Sequence, residues 1–100
     1  MAEADIEGNV VAAAEADGWF TRKLKWVGRD GAPDRLFVKR GRVVFIEFKE
    51  YGKESKGIQL RECKRLKATG AEVHINVDTI AGGCKILGCK PLRPEHASTR

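Results

Sequence analysis

Two acids and an amine stand close together in the stretch 31–49, GAPDRLFVKRGRVVFIEFK. Asp34 follows a Gly-Ala-Pro turn, and Glu47 and Lys49 end an apolar run. Successive side chains of an extended strand point to opposite faces. Val44, Ile46 and Phe48 then look one way, and Val43, Phe45, Glu47 and Lys49 the other. Two steps of about 3.3 Å put Glu47 and Lys49 about 7 Å apart on a shared face. A half-buried charge is costly unless it is paired or binds metal, so an apolar strand ending in this way needs a partner for its acid.

A hairpin through this stretch would bring Asp34 and Glu47 together at one end. Paired carboxylates suit Mg²⁺ or Mn²⁺, which keep several waters and take one or two carboxylates along with substrate phosphate. Lys49 would then orient or deprotonate an attacking water, or balance charge on a pentavalent transition state. A third acid from the first helix and Gln59 from the second would complete the set. The reaction that fits is metal-assisted phosphodiester hydrolysis. The bland alternative makes Asp34 a turn cap and Glu47–Lys49 a surface ion pair worth about 0–1 kcal/mol.

The elements that must position these residues are readable in order. Residues 2–17 predict a helix, with Ile6, Val10 and Ala13 at helical spacing and Gly18 as its stop. Glu3 and Glu7, four apart, share a face of it. Residues 19–27 predict a strand in which Phe20, Leu24 and Trp26 form the apolar face. Gly28 to Gly31 make a turn, and Pro33 biases Ala32 to extended geometry before Asp34. Segments 36–38 and 43–49 pair as a hairpin across 39–42. Residues 50–57 form a polar loop. A helix over 58–69 follows, with Leu60, Cys63 and Leu66 inward, Gln59 near the sheet and Gly70 as its stop. Segment 72–77, EVHINV, is a fourth strand. Asp78 would cap a short last helix through Ile80 and Ala81, while Gly82-Gly83 oppose a long one. Pro91, Pro94 and the end HASTR predict a fraying tail. The result is an α/β mixed sheet flanked by helices, in the order α-β-β-β-α-β.

Composition bounds the function. One hundred residues and 11.1 kDa fit one domain over 1–100, with no room for a second core. No apolar stretch approaches the roughly 20 residues of a membrane span, and the acidic start lacks a signal peptide's positive charge. The chain is therefore expected to stay where it is made, in the cytoplasm. The three cysteines, Cys63, Cys84 and Cys89, are odd in number and form no CxxC pair, which predicts reduced structural thiols rather than a zinc site. A Cys84–Cys89 disulfide has no support. The net charge is +5, yet no Lys or Arg precedes Arg22, where Glu3, Asp5, Glu7, Glu15 and Asp17 lie. Basic residues crowd from Arg22 to Lys67, as a polyanion partner or a plain solvated surface would both explain. Lys53, Lys56, Arg61, Lys64 and Arg65 are candidates for contacts to DNA phosphates. Trp19 and Trp26 are either core residues or stacking platforms for bases.

Pro33-Asp34, then the twelve residues 35–46, then Glu47-Phe48-Lys49 resembles the PD-(D/E)XK nuclease signature. More narrowly, four blocks in order resemble a stand-alone VRR-NUC domain of the virus-type replication-repair nuclease family. They are the acidic helix DIEGNVVAAAEADGW, the GAPDR block, the RVVFIEFK strand, and Gln59 opening the next helix. The resemblance covers roughly residues 3–77. It implies a restriction-endonuclease-like core and cleavage of DNA with Mg²⁺ or Mn²⁺. Asp34, Glu47 and the Phe48 carbonyl become metal ligands, Lys49 the catalytic lysine, and Gln59 the glutamine that helps hold the water or metal site. Among the helix acids it favours Glu7 over Glu3, by its distance ahead of Gly18. Small members are similar to Holliday-junction resolvases, which implies branched DNA as substrate and a homodimer.

The expected function is thus a metal-dependent, structure-selective endonuclease of branched DNA. A different class of reading is a DNA-binding module with a nuclease-derived fold and no activity. Converging carboxylates beside a polyanion have no purpose there. A restriction-type enzyme would need extra elements to read a groove, for which the chain is short.

Overall fold

The hairpin forms as the alternation demands. In the computed structural model, which describes residues 1–92, strand β2 (Arg35–Lys39) pairs antiparallel with β3 (Arg42–Phe48). Lys39 stands opposite Arg42, so Arg40 and Gly41 alone make the turn. Both have positive φ, 49° and 82°. That is the type I′ geometry whose twist matches the flanking strands, and Gly41 reaches it without steric cost. Val44, Ile46 and Phe48 are fully buried on one face, together with Phe37, the partner of Val44.

Helices enclose the sheet on both faces. The strand order is β1-β2-β3-β4, with β1 (Phe20–Lys23) antiparallel to β2 and β4 (Glu72–Val77) parallel to β3. Helix α1 (Glu3–Ala16) and helix α3 (Ile80–Leu87) cover the Val44 face, where Ile6, Val10, Ala13, Ile80, Cys84 and Leu87 join the strand residues in one core. Helix α2 (Gly57–Ala68) is the crossover from β3 to β4 and lies against β4 on the other face. Its only fully buried residue is Cys63; Leu60 and Leu66 are half-buried.

Two elements, strand β1 and helix α3, depart from the sequence expectation. Strand β1 covers four residues rather than 19–27, and its faces are inverted: Thr21 is buried while Phe20 is 48 % exposed. Helix α1 covers the Thr21 side of this edge strand and α2 packs on β4, while the Arg22 guanidinium lies over the half-exposed Phe20 ring at 4.1 Å. Beyond Lys23 the ladder ends, because glycines and Pro33, which lacks an N–H, replace a pairing partner; Leu24 N donating to Asp34 O is its last rung, at 2.9 Å.

Helix α3 is a full two turns despite Gly82-Gly83. A Cβ on Gly83 would come within 2.7 Å of Val10 Cγ2, so this glycine lets α3 close onto α1. The cap is Thr79, whose hydroxyl accepts from Gly82 N at 2.9 Å; Asp78 instead accepts from Gly52 N. Trp19 is a core residue and Trp26 is half-buried. None of the three cysteines is in a disulfide. Among the described residues no helix is long and apolar enough to cross a membrane. Of the tail expected to fray, Pro94 and the end HASTR lie outside the described residues.

Candidate active site

Asp34 and Glu47 hold each other's backbone. Asp34 N donates to Glu47 Oε1 at 3.1 Å, and Phe48 N donates to Asp34 Oδ2 at 2.7 Å. Each carboxylate therefore keeps its second oxygen for another purpose. Two local devices set this geometry. Gly31, at φ 99°, lets the 24–33 loop touch α2, where a Cβ would meet Glu62 Cβ at 2.9 Å; Pro33 then delivers Asp34 to the start of β2. At the far end of β3 the parallel register jumps, with Ile46 opposite His74 but Phe48 opposite Val77. Ile75 and Asn76 together face Glu47, a bulge of the kind that re-aims a neighbouring side chain.

Lys49 lies beside this pair. Its ammonium donates to Gln59 Oε1 at 2.9 Å and stands 3.2 Å from Glu47 Oε2. The second contact is an ion pair without hydrogen-bond alignment, so Glu47 Oε2 is buried with no hydrogen-bond donor. The reading of Glu47–Lys49 as a surface pair is excluded, because Glu47 is wholly buried. Gln59 does point to the sheet, where it accepts from Lys49, and the Phe48 side chain is in the core while its amide serves Asp34.

The first turns of α1 add two acids. Ligand oxygens of Glu3, Glu7 and Asp34 lie within 4.8 Å of one another. Glu7 is committed: Lys23 Nζ donates to both its oxygens at 2.9 and 2.8 Å, and Arg35 Nε donates at 2.7 Å. The Glu3 carboxylate has neither a hydrogen bond nor an ion pair among the described residues. Lys23 and Arg35 were not among the sequence-derived site residues. Their signal is tertiary: they are cross-strand partners in β1 and β2, and only the fold turns that pair toward α1.

The acidities follow from these surroundings. Burial first, then the Asp34 charge, pushes Glu47 up from 4.5 to about 7, against the pull of Lys49. Burial also raises Asp34, outweighing its bond from Phe48 N. Burial and the Asp34 charge raise Glu3. Glu7 is also penalised by burial, yet the bonds from Lys23 and Arg35 prevail and hold it below the usual range. Cys63, behind the site, is pushed up to about 11 by burial and then by Glu47 and Asp34, so it stays a thiol. Crowded carboxylates with raised pKa values, all-oxygen donors and an oxygen of Glu47 without a hydrogen bond fit a hard divalent cation.

The candidate DNA contacts divide into two places. Lys53 and Lys56 line a cleft of about 590 Å³ together with Glu3 and Lys49. Arg61 and Arg65 line another of about 340 Å³ with Arg29, whose guanidinium pairs with Glu62 at 3.1 Å. Lys64 is exposed on α2 and lines neither.

No protein-family model matches the chain. Over 72 residues it is 38 % identical to a protein of Acyrthosiphon pisum secondary endosymbiont phage 1 named "Putative nuclease p44". That match spans 71 % of this chain and 77 % of the phage protein. A solved structure described as a VRR_NUC domain superposes with a TM-score of 0.77 at 33 % identity, covering 86 % of this chain and 94 % of that one. Shared sequence and shared mixed-sheet architecture agree with the acids gathered at the end of the hairpin, and the chain belongs to the VRR-NUC family.

Proposed function

We propose that this protein is a divalent-metal-dependent endonuclease that hydrolyses phosphodiester bonds in branched DNA. The observation that carries the reading is the buried Glu47, held against Asp34 and beside the Lys49–Gln59 pair. Asp34, Glu47, Glu3 and the Phe48 carbonyl would hold Mg²⁺ or Mn²⁺, whose charge would stabilise the phosphoryl oxygens in the transition state. Glu7, the acid preferred from sequence, keeps its negative charge through Lys23 and Arg35 and offers an oxygen in the same cluster. The geometry favours a division of roles in which Glu3 faces the cation and Glu7 anchors the helix.

The other groups act on the substrate directly. Lys49, fixed by Gln59, has its ammonium where it can donate to a phosphoryl oxygen or orient the attacking water. Lys53 and Lys56 sit along the adjoining cleft and would take flanking phosphates, as would Arg61, Lys64 and Arg65 on α2. One chain has one such site, so symmetric cutting of two strands requires a homodimer with a two-fold axis.

Cleavage of a four-way junction in Mg²⁺ or Mn²⁺ tests this reading. Asp34→Ala and Glu47→Ala should each abolish cutting and leave DNA binding in Ca²⁺ intact. Unchanged cutting by both variants would remove the site assignment. Comparing linear duplex, flap and junction substrates decides the preference for branches.

A further inference from the structure

The segment 50–56 forms one wall of the 590 Å³ cleft and carries Lys53 and Lys56, yet it has no helix or strand of its own. Two side chains at the end of β4 hold it. Ser55 N donates to Asn76 Oδ1 at 2.6 Å, and Gly52 N donates to Asp78 Oδ2 at 2.9 Å. Ser55 is only 5 % exposed, so its amide would otherwise lack a partner away from water. Asn76 is also one of two non-glycine residues with positive φ among the described residues, at 60°. Asparagine tolerates that conformation better than most side chains. It belongs to the bulge opposite Glu47. The residue inserted across from the catalytic strand is therefore the one that reaches over to the cleft wall.

We propose that Asn76 and Asp78 are positioning residues for the substrate strand. By accepting the Ser55 and Gly52 amides, they fix the wall so that Lys53 and Lys56 face DNA entering toward Asp34 and Glu47. Neither residue touches the reacting atoms. The consequence for cleavage rests on the nuclease reading above, whereas the clamp itself does not.

Asn76→Gly keeps the backbone free to adopt φ near 60° and deletes the acceptor. Asp78→Ala deletes the other, and Asp78→Asn retains an acceptor oxygen. Amide hydrogen exchange should quicken at least tenfold at Ser55 in Asn76→Gly and at Gly52 in Asp78→Ala. KM for a junction substrate, and Kd for it in Ca²⁺, should rise five- to tenfold in both while kcat stays within twofold. Asp78→Asn should match the parent. Parental exchange rates in both deletion variants would overturn the clamp. Freed amides with unchanged KM and Kd, or a fall in kcat at constant KM, would overturn its role in guiding DNA. A parent that binds DNA without cutting it would sink the nuclease reading alone, since exchange and Kd still decide the clamp. A parent that neither cuts nor binds would remove both the nuclease reading and the guiding role.

Discussion

With its side chain buried and its pKa pushed up to about 7, Glu47 weakens the metal-free fold whenever it is ionised. The folded value lies above the unfolded 4.5. Its contribution to stability is therefore fully present below about 4.5 and is lost as pH rises through about 7. Thermal melts of metal-free protein should show that decline, and Glu47→Gln should flatten it, gaining about 1–3 kcal/mol at pH 8. Added Mn²⁺ should restore the parent and not the Gln variant. Lys49 answers a different question, because its proposed role is to act on the transition state. Lys49→Ala should lower kcat by about 10²–10⁴-fold, with DNA binding in Ca²⁺ little changed. Equal losses in binding and turnover would mean that Lys49 only holds the substrate.

Helix α1 brings Glu3 and Glu7 to the strands, and its seat is set by contact with α3. A Cβ at Gly83 would lie 2.7 Å from Val10 Cγ2, so Gly83→Ala must push Val10 aside and should destabilise by about 1–3 kcal/mol. Because the helix would move with its acids, the same variant should weaken Mn²⁺ binding; unaltered stability and affinity would show that the interface yields. What could be read from sequence divides along this line. The hairpin, the Asp34–Glu47 meeting and the inward place of Gln59 near the sheet were legible, because alternation, helical periodicity and turn chemistry are local. The cap by Thr79, the inverted faces of β1 and the bulge at Asn76 were not. Each depends on which face another element covers or on a register between segments far apart in the chain. Gly82-Gly83 misled for the same reason: their helix-breaking tendency is local, and their use in packing is not.

Across the whole molecule, the net charge of +5 does more than pair the site's acids with Lys23, Arg35 and Lys49: further lysines and arginines line the two clefts. Affinity for DNA should fall steeply with salt. Replacing both Arg61 and Arg65 by Ala should reduce the slope of log K against log salt by about 2, if each meets one phosphate of a duplex. An unchanged slope would place the duplex elsewhere. The family assignment and the fold agree on a nuclease scaffold, and the proposed homodimer would present two such surfaces related by symmetry. In the proposed mechanism, activity depends on a cation held by these carboxylates. Crystals soaked in Mn²⁺ and measured for anomalous scattering test that directly. A peak bridging Asp34 and Glu47, with Glu3 nearby, is the predicted result; a Mn²⁺ ion bound away from both carboxylates, in protein that cuts DNA with Mn²⁺, would contradict it.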